Sequence, residues 1–286
     1  MKMNFIIFQK TNIFILALSV FISVISSSCN ISKSNDYEVA FDTIHVSKTE
    51  SIDYKKSKLN CNLNISFVYP VACNEASLLR DLQKIFIERI FPPEYSNLSP
   101  QEAVDNFVTQ YISNYKSIKA EDFFEDDYIL EDENDFIYEL FLENEIIYNK
   151  NNLISFIVKN INYEGGANSS NSIYGYVIDL NTGKFLAEND FAGDNYNENL
   201  SFLIVQKIAE SKELNNILQL EDIGYYAIEN IIPNDNFVID DKGITYYFNE
   251  DDIAAGFIGI TEVFISYEEL KNFIVKGNPV YSLAGF

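Results

Sequence analysis

The sequence predicts an α+β fold built on a mainly antiparallel sheet with amphipathic helices. Two amphipathic stripes at helical spacing come early in the chain, and period-two strand runs joined by short hairpin turns follow them. No repeat at solenoid or propeller spacing competes with this reading.

Residues 63–69 alternate apolar and polar side chains and stop at Pro70, as a half-buried strand does. Asn74 caps a helix whose apolar face is Leu78, Leu79, Leu82, Ile85, Phe86 and Ile90, ending at Phe91-Pro92-Pro93. The next helix opens on Ser99, with Pro100 in its first turn and Glu102 completing a capping box. Its stripe is Val104, Phe107, Val108, Tyr111, Ile112 and Tyr115.

After an acidic stretch, Phe136, Tyr138, Leu140 and Leu142 alternate with Ile137, Glu139 and Phe141. Asn149-Lys150-Asn151-Asn152 reads as a turn, and residues 153–163 as the longest strand. Residues 173–179 pair with 184–187 through Asn181-Thr182-Gly183, where glycine supplies the positive φ. Residues 200–214 form a third amphipathic helix. Residues 237–239 and 244–248 flank the turn Asp240-Asp241-Lys242-Gly243. A strand over 262–265 leads into a short helix capped by Ser266 and Glu269 and stopped by Gly277.

The N-terminus is an address rather than part of the fold. Lys2 and Lys10 precede an apolar run over 13–25 that ends in Ser26-Ser27-Ser28-Cys29. The run is short for a bilayer span, and small residues before a cysteine mark a processing site. The pattern is that of a bacterial lipoprotein signal over residues 1–28, with Ser26 where the usual lipobox has leucine and Cys29 carrying lipid. An ordinary secretory signal or an uncleaved anchor is the alternative. Residues 29–60 read as the lipidated cysteine and a polar tether, 61–130 as an N-terminal α+β lobe and 131–286 as a C-terminal lobe. The folded part holds enough chain for a substantial core.

Composition limits the partners. The chain has a formal net charge of −23, and loss of Lys2 and Lys10 with the signal leaves 18 basic against 43 acidic residues, a net of −25. Such a surface repels phosphate backbones, so nucleic acid is excluded as a partner, and it steers cationic partners inward. With Cys29 lipidated, Cys61 and Cys73 remain, as a disulfide in an oxidising compartment or as two buried thiols.

The catalytic inventory is short. The single histidine, His45, falls in the tether, so Ser-His-Asp, Cys-His and His-ligated zinc sites are absent. Nucleotide and phosphate-loop fingerprints are also absent, and no cofactor is expected. Paired carboxylates remain the one enzymatic option, yet the nine acids between Glu121 and Asp135 read as a solvated loop because they cannot be buried together. Asp194-Asn195-Tyr196-Asn197-Glu198 lacks the ligand spacing and glycine of a calcium loop, leaving no metal site.

Tyr163-Glu164-Gly165-Gly166-Ala167-Asn168 is the candidate binding loop, since adjacent glycines after a strand permit a sharp turn and close approach of a ligand. This segment also carries a resemblance. Together with Asp179-Leu180-Asn181-Thr182-Gly183, residues 243–248, Ile253-Ala254-Ala255-Gly256 and residues 263–270, it resembles the extracytoplasmic domain of the RsiV anti-sigma factors. That domain also accompanies the peptidoglycan deacetylase PdaC and occurs in free-standing envelope lipoproteins. Asn168 stands where the family has histidine, removing any proton or metal role there, and the segment between Ile253 and Gly256 is shorter than the family's. The resemblance implies a two-lobed α+β ectodomain without catalysis and, from RsiV, lysozyme as a bound partner.

The expected function is therefore non-catalytic binding at the bacterial envelope, of a lysozyme-type cationic protein or a peptidoglycan fragment. The membrane is met through the N-terminal lipid, on the periplasmic side or the cell surface. The alternatives are a carboxylate-dependent glycan-active enzyme and a structural lipoprotein of an outer-membrane assembly.

Overall fold

The computed structural model describes residues 37–54, 57–117, 137–164, 169–193 and 196–285. The main sheet has six strands in chain order: β1 (Val39–Tyr54), β2 (Ser57–Cys73), β3 (Tyr138–Lys150), β4 (Leu153–Glu164), β5 (Ser170–Asp179) and β6 (Lys184–Phe185). Neighbours run antiparallel except β2 and β3, which are parallel. A parallel pair cannot close through a tight turn. The intervening chain supplies α1 (Ala76–Ile90) and α2 (Pro100–Ser117), which cover one face of the sheet.

A second, antiparallel sheet of β7 (Phe237–Ile239), β8 (Gly243–Phe248) and β9 (Thr261–Ser266) packs against α3 (Tyr196–Ser211). Three short helices, α4 (Gln219–Asp222), α5 (Tyr267–Leu270) and α6 (Pro279–Leu283), complete the chain. The architecture is α+β with mostly antiparallel sheets, as the patterning predicts.

β4 explains why there are two cores. Its first six residues are all buried, because successive side chains point to opposite faces and both faces are covered. Ile154, Phe156 and Val158 join the core beneath α1 and α2, where Phe156 stacks on Phe86 at 4.3 Å. Leu153 and Ile157 point the other way, towards the second sheet, and Ser155 Oγ accepts from the Ile239 N–H at 2.9 Å. The main sheet thus runs across the expected lobe boundary at residues 130/131, and β4 and β5 contribute to both cores.

Local signals hold where they rest on turn and cap chemistry. Ser99 and Glu102 form the capping box, with Glu102 Oε2 accepting from the Ser99 N–H at 3.0 Å. Asn151 and Asn152 take φ of 54° and 59° in the β3–β4 hairpin, the left-handed pair that a two-residue turn needs. Gly183 turns β5 into β6 at φ 67°. Ser266 and Glu269 cap α5, but that helix ends at Leu270, well before Gly277. The N-cap of α1 is Glu75, one residue past Asn74.

Three expectations are corrected, the tether, the place of His45 and the longest strand, and the open alternative for Cys61 and Cys73 is narrowed. Residues 39–54 are strand β1 and not tether, paired with β2 over its whole length, and His45 lies in it opposite Ser66. An edge strand with one solvated face needs few apolar residues. Here Ser47, Thr49 and Ser51 instead donate across to Asn64, Asn62 and Asn60 at 2.7–3.0 Å. β2, with 17 residues, and not β4, with 12, is the longest strand. Cys61 and Cys73 are both free. They sit twelve positions apart on one continuous strand, hence about 40 Å apart at roughly 3.3 Å per residue, whereas a disulfide needs Cα atoms within about 7 Å.

Candidate functional site

A concavity lies where the edge of β5 meets the loops of the second sheet. β6 pairs with β5 only at Ile178 and Asp179, so the outer backbone edge of residues 171–175 has no neighbouring strand. Side chains take that place. Glu250 Oε2 accepts from the Asn171 N–H at 3.3 Å, Asn249 Oδ1 from Ile173 at 2.7 Å and Asn236 Oδ1 from Gly175 at 2.7 Å. Asn236 Nδ2 donates to the Ile173 carbonyl at 2.9 Å, imitating a strand with one amide. An open strand edge is an aggregation hazard, and these side chains close it. Gly175 is required at this junction, since a Cβ there would lie 2.5 Å from the Phe237 carbonyl oxygen.

Between β5, residues 230–236 and residues 248–257 runs a groove of about 1370 Å³. Its charged lining is entirely acidic: Asp235, Glu250, Asp251 and Asp252, with no Lys, Arg or His. None of these carboxylates enters an ion pair among the described residues; the ion pairs there join Lys48, Lys84, Lys116, Lys159 and Lys207 to Glu50, Glu88, Glu143, Glu145, Glu210 and Glu269. Four lining side chains present apolar surface: Tyr174 at 46 % exposure, Ile232 at 57 %, Phe257 at 81 % and half-buried Tyr176. Asn234, Asn236 and Asn249 bind backbone groups of β5 and β8, so their amides build the wall.

Behind the wall lies a buried polar network. The Glu188 N–H donates to Asp235 Oδ1 at 2.9 Å, and the Asp235 N–H donates to Glu188 Oε1 at 3.1 Å. The Tyr246 hydroxyl bonds that of Tyr196 at 2.8 Å and favours the charged form of the nearby Glu188 carboxyl. Burial pushes the Glu188 carboxyl up to about 7, opposed by the Asp235 N–H and reinforced by the Asp235 carboxylate. Burial likewise raises Tyr246 and Tyr196. Glu188 is only 6 % exposed and does not line the groove. Its oxygens serve the fold, so the Glu188–Asp235 pair is a clasp between two chain segments rather than an acid–base couple facing a substrate.

The expected site residues are placed as follows. Tyr163 is half-buried near the end of β4, opposite Glu139. Gly165, Gly166 and Asn168 lie outside the described residues, as do Cys29 and the acidic run 121–135. Ser169 and Ser170, the next residues in the chain after Asn168, line the groove. Tyr196–Glu198 of the weighed calcium loop open α3, and no cluster among the described residues has the makings of a metal site. The groove acids escape sequence reasoning because Asp235 and residues 250–252 stand in no motif that it singles out. Only the meeting of β5 with the β8–β9 connection makes them a surface.

Residues 188–268 match the family described as "Protein of unknown function (DUF3298)". That span runs from Glu188 through the groove acids to the start of α5. No curated protein matches the chain. A DUF3298-family protein from Pseudomonas aeruginosa shares the fold, at 11 % identity and TM-score 0.56 over 83 % of this chain and 95 % of that one. A DUF3298-family crystal structure from Bacteroides fragilis is similar at 26 % identity and TM-score 0.76, over 86 % of this chain and 97 % of its own. The chain thus has the fold of solved DUF3298 proteins, and its groove-bearing C-terminal part matches the DUF3298 family directly.

Proposed function

We propose that this is a lipid-anchored protein of the bacterial envelope whose folded domain captures a cationic protein without catalysis. A lysozyme-type partner fits both the RsiV resemblance and the charge of the domain. The observation that carries the reading is the groove itself, lined by four carboxylates and no basic group and rimmed by exposed apolar side chains. Opposite charge speeds encounter, and aromatic contacts fix the pose. A peptidoglycan fragment fits less well, because three of the asparagine amides in the lining, those of Asn234, Asn236 and Asn249, are already bonded to backbone. The anchor in this reading is the lipid on Cys29, and Cys29→Ser is expected to abolish incorporation of labelled palmitate in cells.

The test is calorimetric titration of the full-length chain, purified in detergent, with a c-type lysozyme at low and at physiological salt. Saturable one-to-one binding at physiological salt is expected. Heat seen only at low salt reduces the reading to non-specific charge attraction, and none at either salt removes it.

A further inference from the structure

We propose that Asp251, Tyr226 and Phe257 form the anchor subsite of the groove, and that its occupant is an arginine side chain of a basic protein. This rests on the binding reading above and names the chemistry it uses.

The Tyr226 hydroxyl donates to Asp251 Oδ1 at 3.3 Å, and no ion pair among the described residues reaches that carboxylate. Both Asp251 oxygens lie 3.4 Å from where a Cβ on Gly256 would sit, so the carboxylate rests close over that glycine. The next residue is Phe257, whose ring packs against Gly224; a Cβ on Gly224 would fall 2.7 Å from Phe257 Cζ. The tip of the ring thus points at Gly224, while Phe257 as a whole stays 81 % exposed and Tyr226 46 %.

The two loops are held in register before any ligand arrives. The Tyr226 N–H donates to the Ile253 carbonyl at 2.9 Å, the Ala255 N–H to the Gly224 carbonyl at 2.9 Å, and Tyr225 bridges Ala254. A preorganised carboxylate beside two exposed rings is complementary to a planar cation. Guanidinium stacks on an aromatic face while its N–H groups reach the carboxylate, whereas the more strongly hydrated ammonium gains less. The net charge of −23 disfavours a second copy, a nucleic acid or an anionic lipid as occupant.

The experiment titrates hen lysozyme into the full-length chain and into Phe257→Ala, Asp251→Asn and Asp81→Asn at physiological salt. Asp81 is an exposed α1 residue outside the groove and controls for loss of one charge. Affinity is expected to fall at least tenfold for Phe257→Ala and Asp251→Asn and less than twofold for Asp81→Asn. Equal affinity in all four overturns the subsite while the binding reading stands. Two short Gly-Ser peptides, one with three arginines and one with three lysines, decide the matter if lysozyme does not bind. A several-fold preference for arginine, lost in Phe257→Ala, supports the subsite without the lysozyme reading; no preference overturns it.

Discussion

Glu188 and Asp235 hold each other twice: each backbone N–H donates to the other's carboxylate, at 2.9 and 3.1 Å. The contact spans 47 positions and ties the turn after β6 to the segment that walls the groove. Its buried member has a carboxyl raised to about 7 against an ordinary 4.5, so between those values the folded chain binds more protons than the unfolded one. Stability from this group is therefore present in full below about pH 4.5 and declines as pH rises through 7. The loss is on the order of 3 kcal/mol. In Glu188→Gln the amide keeps an oxygen for the Asp235 N–H but cannot ionise. Urea unfolding at pH 5 and pH 8 should show a smaller drop for the variant than for wild type; parallel drops would rule out Glu188 as the titrating group.

Phe156 joins α1 to the sheet, stacked on Phe86 and 5.2 Å from Tyr176, with no exposed surface. Truncation leaves a cavity that neighbours on three elements cannot fill. Phe156→Ala is expected to cost about 3–5 kcal/mol, read as a shift of the urea midpoint at constant slope. A cost below about 1 kcal/mol would mean that this core is not packed as described.

Gly175 lets β5 approach β7. Its Cβ would meet the Phe237 carbonyl at 2.5 Å while its N–H holds Asn236 at 2.7 Å. Gly175→Ala must push these segments apart, at about 1–3 kcal/mol, and disturb the groove wall beside it. The same substitution at Gly183, where a Cβ meets nothing within 4 Å but φ is 67°, tests backbone strain without the clash. Amide-exchange protection of Gly175 and Ile173 should fall in the first variant and hold in the second.

The free thiols differ sharply. Cys61 is 1 % exposed, and burial, with Glu50 nearby, pushes its thiol up to about 11; Cys73 is half-buried at the end of β2. In a Cys29→Ser chain kept under air, iodoacetamide should label Cys73 in the native state and Cys61 only after unfolding, as read by peptide mass. A mass two units low with neither labelled would establish the disulfide that the strand geometry denies.

Much of the fold was readable from local chemistry. The Ser99–Glu102 box, the Asn151–Asn152 turn and the β7–β8 hairpin depend on residues a few positions apart, so their cause lies within the window that reveals them. β1 was not readable, because its core-facing Val39, Phe41, Ile44 and Val46 keep no single alternation and the rest of the strand is polar, held by pairing along β2. Nor was the fate of Cys61 and Cys73, whose spacing as a loop permits a bridge and whose spacing along one strand forbids it. The site shows the same division. Acidic charge and its preference for cationic partners follow from composition alone. Which acids share a groove, and which one is buried as a clasp, depends on β5 meeting chain 60 to 80 residues later. Contacts at that separation are set by how sheets pack, and packing leaves no periodic trace in the residues that it brings together.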